Sequence, residues 1–346
     1  MPRENHYNRT IGRRLGAASL GETSMKTLRF AATALVGALL ISGAAIAADT
    51  AKVNPAKSAD IAHHGLKATD FPRWHLLAPN IYAYEDTLIT PEFTFTTNSL
   101  IIVTTEGVVL VDGQDNEARA NGLIGAIKKI TPQPLKYVVI ASDHGDHVGG
   151  FPTLKAAFPD AVYISSTASL KTMQGAKRPV LATEIVDDKR SIKLGGTEIQ
   201  ILNLGRGHTG GDLVVYLPAS KIMFMSELFD RNIFPPMVTG HPSEWVATVK
   251  KAQAMDVTWF IPGHGFTAGP PDVLKADLAE FLKAVELVVS EGKRLHATGA
   301  PCPTEKDCPA NKQANWGPYA NSTAAAGQAP RALARMYSEI DGKLPK

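Results

Sequence analysis

The stretch "ASDHGDHVGG", residues 141–150, places two histidines and two aspartates within five consecutive positions. It follows the apolar run "YVVI" and ends in two glycines. A buried strand that stops at a cluster of imidazoles and carboxylates is typical of a site built on loops that a rigid sheet holds in place. Histidine nitrogen and carboxylate oxygen together suit a zinc ion.

Three further clusters of ligand-type residues follow predicted strands. His208 stands in "RGHTGGD" after "IQILNLG", Ser226 and Glu227 follow "KIMFM", and His264 stands in "PGHG" after "VTWFI". Strand ends can converge on one rim of a sandwich, so we expect these side chains to meet the 141–150 cluster in one site.

Short strand-like runs alternate with helical patterns along most of the chain. The predicted helices include residues 116–130, 242–255 and 271–292, and strand-like runs fill most of the chain between them. Two strand-rich halves with helices predict a sheet-on-sheet core covered by helices on its outer faces. The tail from 299 to 329 is predicted to be mostly loop, followed by a short helix near 331–340.

The ordered set "SDHGDH", "GHTGGD" and "IPGHG" resembles the metallo-β-lactamase superfamily over roughly residues 75–295. The resemblance implies an α/β fold, a four-layer αββα sandwich, and metal-dependent hydrolysis. The leading motif of that family is normally His-x-His-x-Asp-His.

The resemblance also implies a set of metal ligands. His144 and His208 would share one metal with whatever stands at 142, and Asp146, His147 and His264 would hold the other. Glu227 falls where many members carry an aspartate that touches both metals. The alternative for Glu227 is a capping or solvated carboxylate.

Two departures from the family pattern bear on how many metals are held. Ser142 replaces the first histidine and is a far poorer zinc ligand, and Glu227 is one methylene longer than aspartate. We therefore predict one firmly bound Zn²⁺ in the Asp146 pocket and a second that is weak or absent. Ser142 is either a filler or an active residue, and Asp143 is a candidate to swing in for the lost imidazole.

The chemistry implied is attack of metal-activated water on a carbonyl-type bond of a small molecule: a β-lactam, lactone, ester or thioester. Asp146 or His144 would act as the general base, and His208 would hold the substrate or stabilise the developing oxyanion. Asp230 stands where many lactamases carry a carboxylate-binding lysine, which disfavours β-lactams although Arg231 is adjacent. The alternative is a degenerate, non-catalytic relative that binds zinc or a small ligand in the periplasm.

The N-terminal region carries an export pattern. From Met25, "MKTLRFAATALVGALLISGAAIAADT" predicts a signal peptide over residues 25–47, with 1–24 as a mis-assigned start or a leader. A single membrane anchor is the alternative. We expect a periplasmic or secreted protein without stable membrane insertion after cleavage.

The remaining chain divides into a lead-in (48–74), a hydrolase domain (75–298) and a C-terminal extension (299–346). The extension contains the chain's two cysteines, Cys302 and Cys308, which predict a disulfide in an oxidising compartment. Removing residues 1–47 removes six of the 36 basic and two of the 33 acidic residues, which leaves a formal charge of −1. That balance gives no argument for a nucleic-acid partner.

Overall fold

The computed structural model describes residues 57–344. The predicted signal peptide and the segment before it lie outside the described residues. Within residues 57–344, no helix is both long and apolar enough to cross a membrane.

The described residues form twelve strands. In chain order they are β1 (Arg73–Ala78), β2 (Ile81–Ile89), β3 (Thr94–Val103), β4 (Val108–Val111), β5 (Leu135–Val139), β6 (Val162–Ser165), β7 (Glu184–Ile185), β8 (Lys189–Leu194), β9 (Thr197–Leu202), β10 (Val214–Leu217), β11 (Ile222–Asp230) and β12 (Trp259–His264).

Seven α-helices accompany the strands. They are α1 (Glu117–Ile130), α2 (Gly145–Val148), α3 (Phe151–Ala157), α4 (Thr167–Gly175), α5 (Pro242–Gln253), α6 (Pro271–Ala297) and α7 (Ala325–Ile340). Short 3₁₀ turns lie at Ile61–His64, Ala68–Asp70, Pro309–Gln313 and Gly317–Tyr319.

Strand β3 is shared by the two halves of the sheet. Its residues 100–103 pair with β4, whereas Thr97 pairs with His264 of β12. From β3 the order runs β4-β5-β6-β7 in one half and β12-β11-β10-β9-β8 in the other, and β2 and β1 follow on the opposite edge of β3. The sheet therefore curls into two layers joined at β3.

Alternation of side chains along the strands shows how the layers stack. Val109 of β4 and Val215 of β10 belong to one buried cluster between the two halves of the sheet. Their neighbours point outward, because Val108 packs in a cluster with α1 and α3, and Val214 packs in a cluster with α5, α6 and α7. This period of two is the strand period, so each sheet buries both faces. The predicted four-layer αββα sandwich is confirmed.

The C-terminal segment differs from the sequence prediction. Helix α7 begins at Ala325, not near 331, and carries Pro330 in its second turn. The predicted start is too late, because the alanine-rich run before Pro330 favours helix and the proline removes only one early backbone hydrogen bond. The Cys302–Cys308 disulfide is present as predicted.

Candidate metal centre

Four chain segments bring the predicted ligands to one rim of the sandwich. The loop after β5 supplies Ser142 and the one-turn helix α2 with its flanking His144, and the loop after β9 supplies His208. Glu227 lies in β11, and His264 is the last residue of β12. Glycine is required beside the cluster, because a side chain at Gly149 would collide with the backbone oxygen of Asp115.

The structure groups the ligands into two sets that share one residue. We call Asp146, His147, His264 and Glu227 the core-side set, and His144, His208 and Glu227 the loop-side set. Within each set, one ligand atom from every residue lies within 4.8 Å of the others. All six predicted metal ligands are thus brought together.

The core-side set converges on the Nε2 atom of His264. That nitrogen lies 3.1 Å from Asp146 Oδ2, 3.3 Å from Glu227 Oε1 and 3.3 Å from His147 Nε2. Two imidazole nitrogens and two carboxylate oxygens form a donor set that suits a divalent metal ion. Three of the four residues, His147, His264 and Glu227, are almost fully buried.

Buried hydrogen bonds orient the two core-side imidazoles. Asp112 Oδ2 lies 2.9 Å from His147 Nδ1, and the backbone oxygen of Thr96 lies 3.0 Å from His264 Nδ1. Each Nδ1 therefore donates its proton away from the centre, and Nε2 is the ring nitrogen directed into it. The same Oδ2 of Asp112 accepts a hydrogen bond from Ser226 Oγ at 2.7 Å, and its Oδ1 accepts one from Ala141 N at 2.8 Å.

Sequence reasoning did not identify Asp112 or Thr96 as support for the ligands. Asp112 directly follows the apolar run "VVLV". Its φ of 59° and that of Ser226, 46°, are positive for non-glycine residues, a strained backbone that is found often at functional sites.

The loop-side set is held differently. His208 Nε2 lies 3.0 Å from His144 Nδ1 and 3.1 Å from Glu227 Oε1, and His144 Nδ1 lies 3.1 Å from Glu227 Oε2. Trp245 of α5 packs edge-on against the His208 ring, with 5.2 Å between centroids. The Nε2 of His144 bonds Thr239 Oγ1 at 3.0 Å, so its other ring nitrogen faces the centre.

Ser142 is engaged with Glu227. Its hydroxyl donates a hydrogen bond to Glu227 Oε2, while Oε1 of the same carboxylate faces His208 and His264. The extra methylene of glutamate thus lets one carboxylate span both sets and reach the small residue at 142. The two departures from the family pattern touch each other.

Asp143 does not take the place of the lost imidazole. Its carboxylate belongs to neither ligand set. Burial raises the pKa of this carboxyl group.

The charges of the centre are those of a cation-binding site. Burial opposes the charged form of His147, but Glu227, Asp112 and Asp146 outweigh it and raise its pKa to about 9. Burial likewise opposes a charged His144, yet Glu227 and Asp146 raise its pKa to about 10. Carboxylates thus hold protons on histidines in the metal-free protein, and a bound cation would displace those protons.

The remaining ligands have shifted pKa values too. Despite burial, the Asp146 and Glu227 carboxylates raise the pKa of His264 well above its ordinary value. Burial lowers the pKa of His208, the one imidazole of the four that favours its neutral form. Burial would raise the pKa of Asp146, but the neighbouring imidazoles His147 and His264 lower it to about 2.

Asp230 is the last residue of the strand that carries Glu227, and Arg231 follows it. Asp230 is fully buried, and neither of its carboxylate oxygens has a hydrogen-bond partner among residues 57–344. Burial raises the pKa of this carboxyl group. Arg231 does not pair with it, because Arg231 bonds Asp277 at 2.8 Å and the backbone oxygens of Phe266 and Ala268 at 2.7 and 2.8 Å. The residue next to Asp230 is therefore committed to the fold.

Comparison with known proteins is consistent with this geometry. A family model described as "Metallo-beta-lactamase superfamily" matches residues 93–288, more than half of the chain. The chain belongs to the metallo-β-lactamase superfamily. The predicted family membership is confirmed.

Named relatives of this superfamily protein are distant. It is 25% identical over 173 residues to a metallo-beta-lactamase type 2 of Bacillus sp. (strain 170), a match that spans 49% of this chain and 66% of that relative. It is 28% identical over 177 residues to metallo-beta-lactamase IND-1 of Chryseobacterium indologenes, which covers 49% of this chain and 72% of the relative.

Solved structures share the fold. A metallo-beta-lactamase from Pontibacter korlensis superposes with a TM-score of 0.56 at 20% identity, over 62% of this chain and 99% of that one. Metallo-beta-lactamase IND-7 gives 0.55 at 22% identity, over 61% and 96%. At this identity the likeness shows a common architecture and leaves the substrate to be argued from the site.

Proposed function

We propose that this superfamily member is a zinc-dependent hydrolase of carbonyl-type bonds. The observation that carries the proposal is the convergence of Asp146, His147, His264 and Glu227. In both histidines the second ring nitrogen is already hydrogen-bonded to a buried acceptor. Nitrogen and oxygen donors in this combination match a catalytic zinc site.

The residues that would hold the ion are those of the core-side set, and the loop-side set would form a second, weaker metal site. When bound, zinc supplies Lewis acidity, which polarises a carbonyl group and makes a nearby water more acidic. The second site is weaker because Ser142 replaces the third imidazole, so the loop-side set has only two imidazoles and shares Glu227 with the core-side set.

Exposure indicates which residues meet the substrate. The His144 side chain is 25% exposed and that of Asp146 is 19% exposed, whereas the other four ligands are between 0% and 4%. We therefore propose that the proton of the attacking water is taken by Asp146, or by His144 once a bound ion has displaced the proton that His144 carries. His208, at 3%, serves as a ligand and does not contact the substrate directly.

Charge narrows the substrate class. β-Lactam antibiotics carry a carboxylate, and Asp230 places a buried, unpaired acid three residues after Glu227, with Arg231 engaged elsewhere. Burial raises the pKa of the Asp230 carboxyl group, and neither Asp230 nor Arg231 presents a cation that could bind a substrate carboxylate, so neutral lactones, esters or thioesters are favoured over β-lactams.

Export is part of the proposal. The pattern of residues 25–47 and the Cys302–Cys308 disulfide support a periplasmic or secreted enzyme. A small-molecule substrate is proposed as its partner.

The test is hydrolysis of a panel of lactones, esters, thioesters and β-lactams by the purified protein, first stripped with a chelator and then titrated with zinc. We expect activity only with zinc, and none in Asp146→Asn. A matched control is Asp160→Asn, an exposed aspartate outside the ligand sets. Equal rates with and without zinc would refute the proposal.

A non-catalytic zinc-binding relative is the second candidate, favoured by the engagement of Glu227 with Ser142 in place of a third imidazole. It predicts that the protein binds zinc yet hydrolyses nothing in the panel. Activity gained by Ser142→His, where the parent has none, would support it.

A further inference from the structure

The loop between β11 and α5 reaches the loop-side set through Thr239. The Thr239 hydroxyl oxygen lies 3.2 Å from the backbone oxygen of His208 and 3.0 Å from His144 Nε2. A hydroxyl group has one hydrogen, which it donates to the carbonyl, so its oxygen accepts from the N–H of His144. This arrangement leaves His144 Nδ1 as the nitrogen that faces the ligand set.

Helix α7 holds that loop from outside. Arg335 Nε donates to the backbone oxygen of Gly240 at 2.6 Å, and its Nη2 donates to that of Thr239 at 2.9 Å. Nearby, Glu339 accepts a hydrogen bond from Ser243 N, in the first turn of α5, at 3.1 Å. The side chains of one helix therefore fix the backbone at the end of the loop.

The start of the loop is also tied to the C-terminal extension. Phe234 N donates to the backbone oxygen of Thr323 at 2.9 Å, and the Phe234 ring packs edge-on against Trp316. These contacts come from residues beyond 93–288, the part of the chain that the family model matches.

We propose that Arg335 is a positioning residue for the metal centre: through the backbone of residues 239–240 it sets the Thr239 hydroxyl, and with it the ring orientation of His144. The inference rests on the proposed metal-dependent function. It assigns to the C-terminal extension a part in forming the site.

The effect is confined to one side of the centre. The same loop is joined to the His208 segment, because His241 N donates to the backbone oxygen of Gly207 at 2.8 Å. Movement of residues 239–240 therefore disturbs His144 and His208 together. The core-side imidazoles depend on Asp112 and Thr96, which lie in other segments.

The experiment compares zinc affinity at the two sets by competition with chelators. The binding step that disappears in His208→Ala identifies the loop-side ion. We expect Arg335→Met and Thr239→Val each to weaken zinc affinity in that step about tenfold. This loss is at the low end of the range for residues that orient a metal ligand, because Thr239 is exposed and water can partly replace its hydroxyl. The core-side step should stay unchanged.

Two variants separate positioning from general structural damage. Thr239→Ser keeps the hydroxyl and should restore the loop-side step. Arg331→Gln lies one turn earlier on α7, where Arg331 is 41% exposed beside Glu305, and should leave both steps unchanged. If Arg335→Met fails to fold, Arg335→Lys keeps the charge but not the fork of donors and should give a smaller shift of the same step.

Equal weakening of both steps, or no weakening in Arg335→Met and Thr239→Val, would overturn the inference. So would a wild-type protein that binds one ion with an affinity unaffected by these substitutions. These outcomes are distinct from failure of the proposed function, since metal affinity is measured whether or not any substrate is hydrolysed.

Discussion

The core-side and loop-side sets share Glu227 but differ in what holds them. His147 and His264 are anchored by Asp112 and by the Thr96 backbone, both fully buried in the sheets. His144 is anchored by Thr239, an exposed residue on a loop that α7 ties down. Support drawn from packed strands is rigid, whereas support drawn from a loop depends on distant contacts. Two neighbouring metal sites in one centre can therefore differ in rigidity as well as in the number of ligands.

The largest expected contrast between the sets is in proton release. In the metal-free protein the pKa of His147 is about 9, that of His264 is raised well above its ordinary value, and that of His144 is about 10. His208 favours its neutral form because burial lowers its pKa. Zinc should then displace about two protons from the core-side set and about one from the loop-side set at pH 7.

Affinity should accordingly fall as the pH falls from 8 to 6, by about a hundredfold per pH unit at the core-side set and about tenfold at the loop-side set. Calorimetry in buffers of different ionisation enthalpy measures the protons released in each step. Equal release from both steps would remove this difference between the sets.

Stability of the metal-free protein should show the opposite sign. The folded-state pKa of His147 lies above its unfolded value near 6.5, so its contribution is fully present below that pH and is lost as the pH rises through about 9. Thermal unfolding of metal-free protein between pH 6.5 and 9.5 checks this, with zinc-loaded protein as the control.

A smaller effect is expected from Asp112→Asn. The amide nitrogen would donate to His147 Nδ1, which moves the ring proton to Nε2 and blocks the metal-binding lone pair. We expect core-side zinc affinity to fall about 10- to 100-fold, with little change at the loop-side set. The control is Asp115→Asn in the same segment, since Asp115 pairs with Arg119. An unaltered core-side affinity would show that Asp112 does not orient His147.

The smallest effect concerns the pair of departures, Ser142 and Glu227. The Glu227 carboxylate already reaches position 142 and would collide with an imidazole there, so Ser142→His alone should change the zinc affinity of the loop-side set little. Combined with Glu227→Asp, which removes one methylene, it should tighten the loop-side step by about tenfold, and the two changes should not be additive. Zinc titration of the two single variants and the double variant tests this coupling, which additive effects would contradict.

Much of the fold was predictable because local signals agreed with it. Helices form over 117–130 and 271–297, where apolar spacing predicted 116–130 and 271–292, and the ligand motifs fall at strand ends that the sandwich brings together. The metal-binding and catalytic roles of these residues stay predictions. The assignment of these residues to two metal sites came from the resemblance of three short motifs to a known family.

The supporting residues could not be predicted from the sequence. Asp112 contacts a histidine 35 positions away, and Arg335 contacts a loop about 95 positions earlier. Such contacts depend on how loops pack in three dimensions, and neither residue type nor periodicity encodes them locally. The one signal available was a charged residue directly after the apolar run that ends at Val111.

Strand β3 carries a consequence for how the molecule comes apart. Because the ladder continues through it from one layer to the other, neither layer can melt without breaking rungs that the other needs. Heat or denaturant should therefore dismantle both layers in one cooperative transition. Each ligand set draws residues from both halves of the sheet, so the same transition should abolish both sets at once.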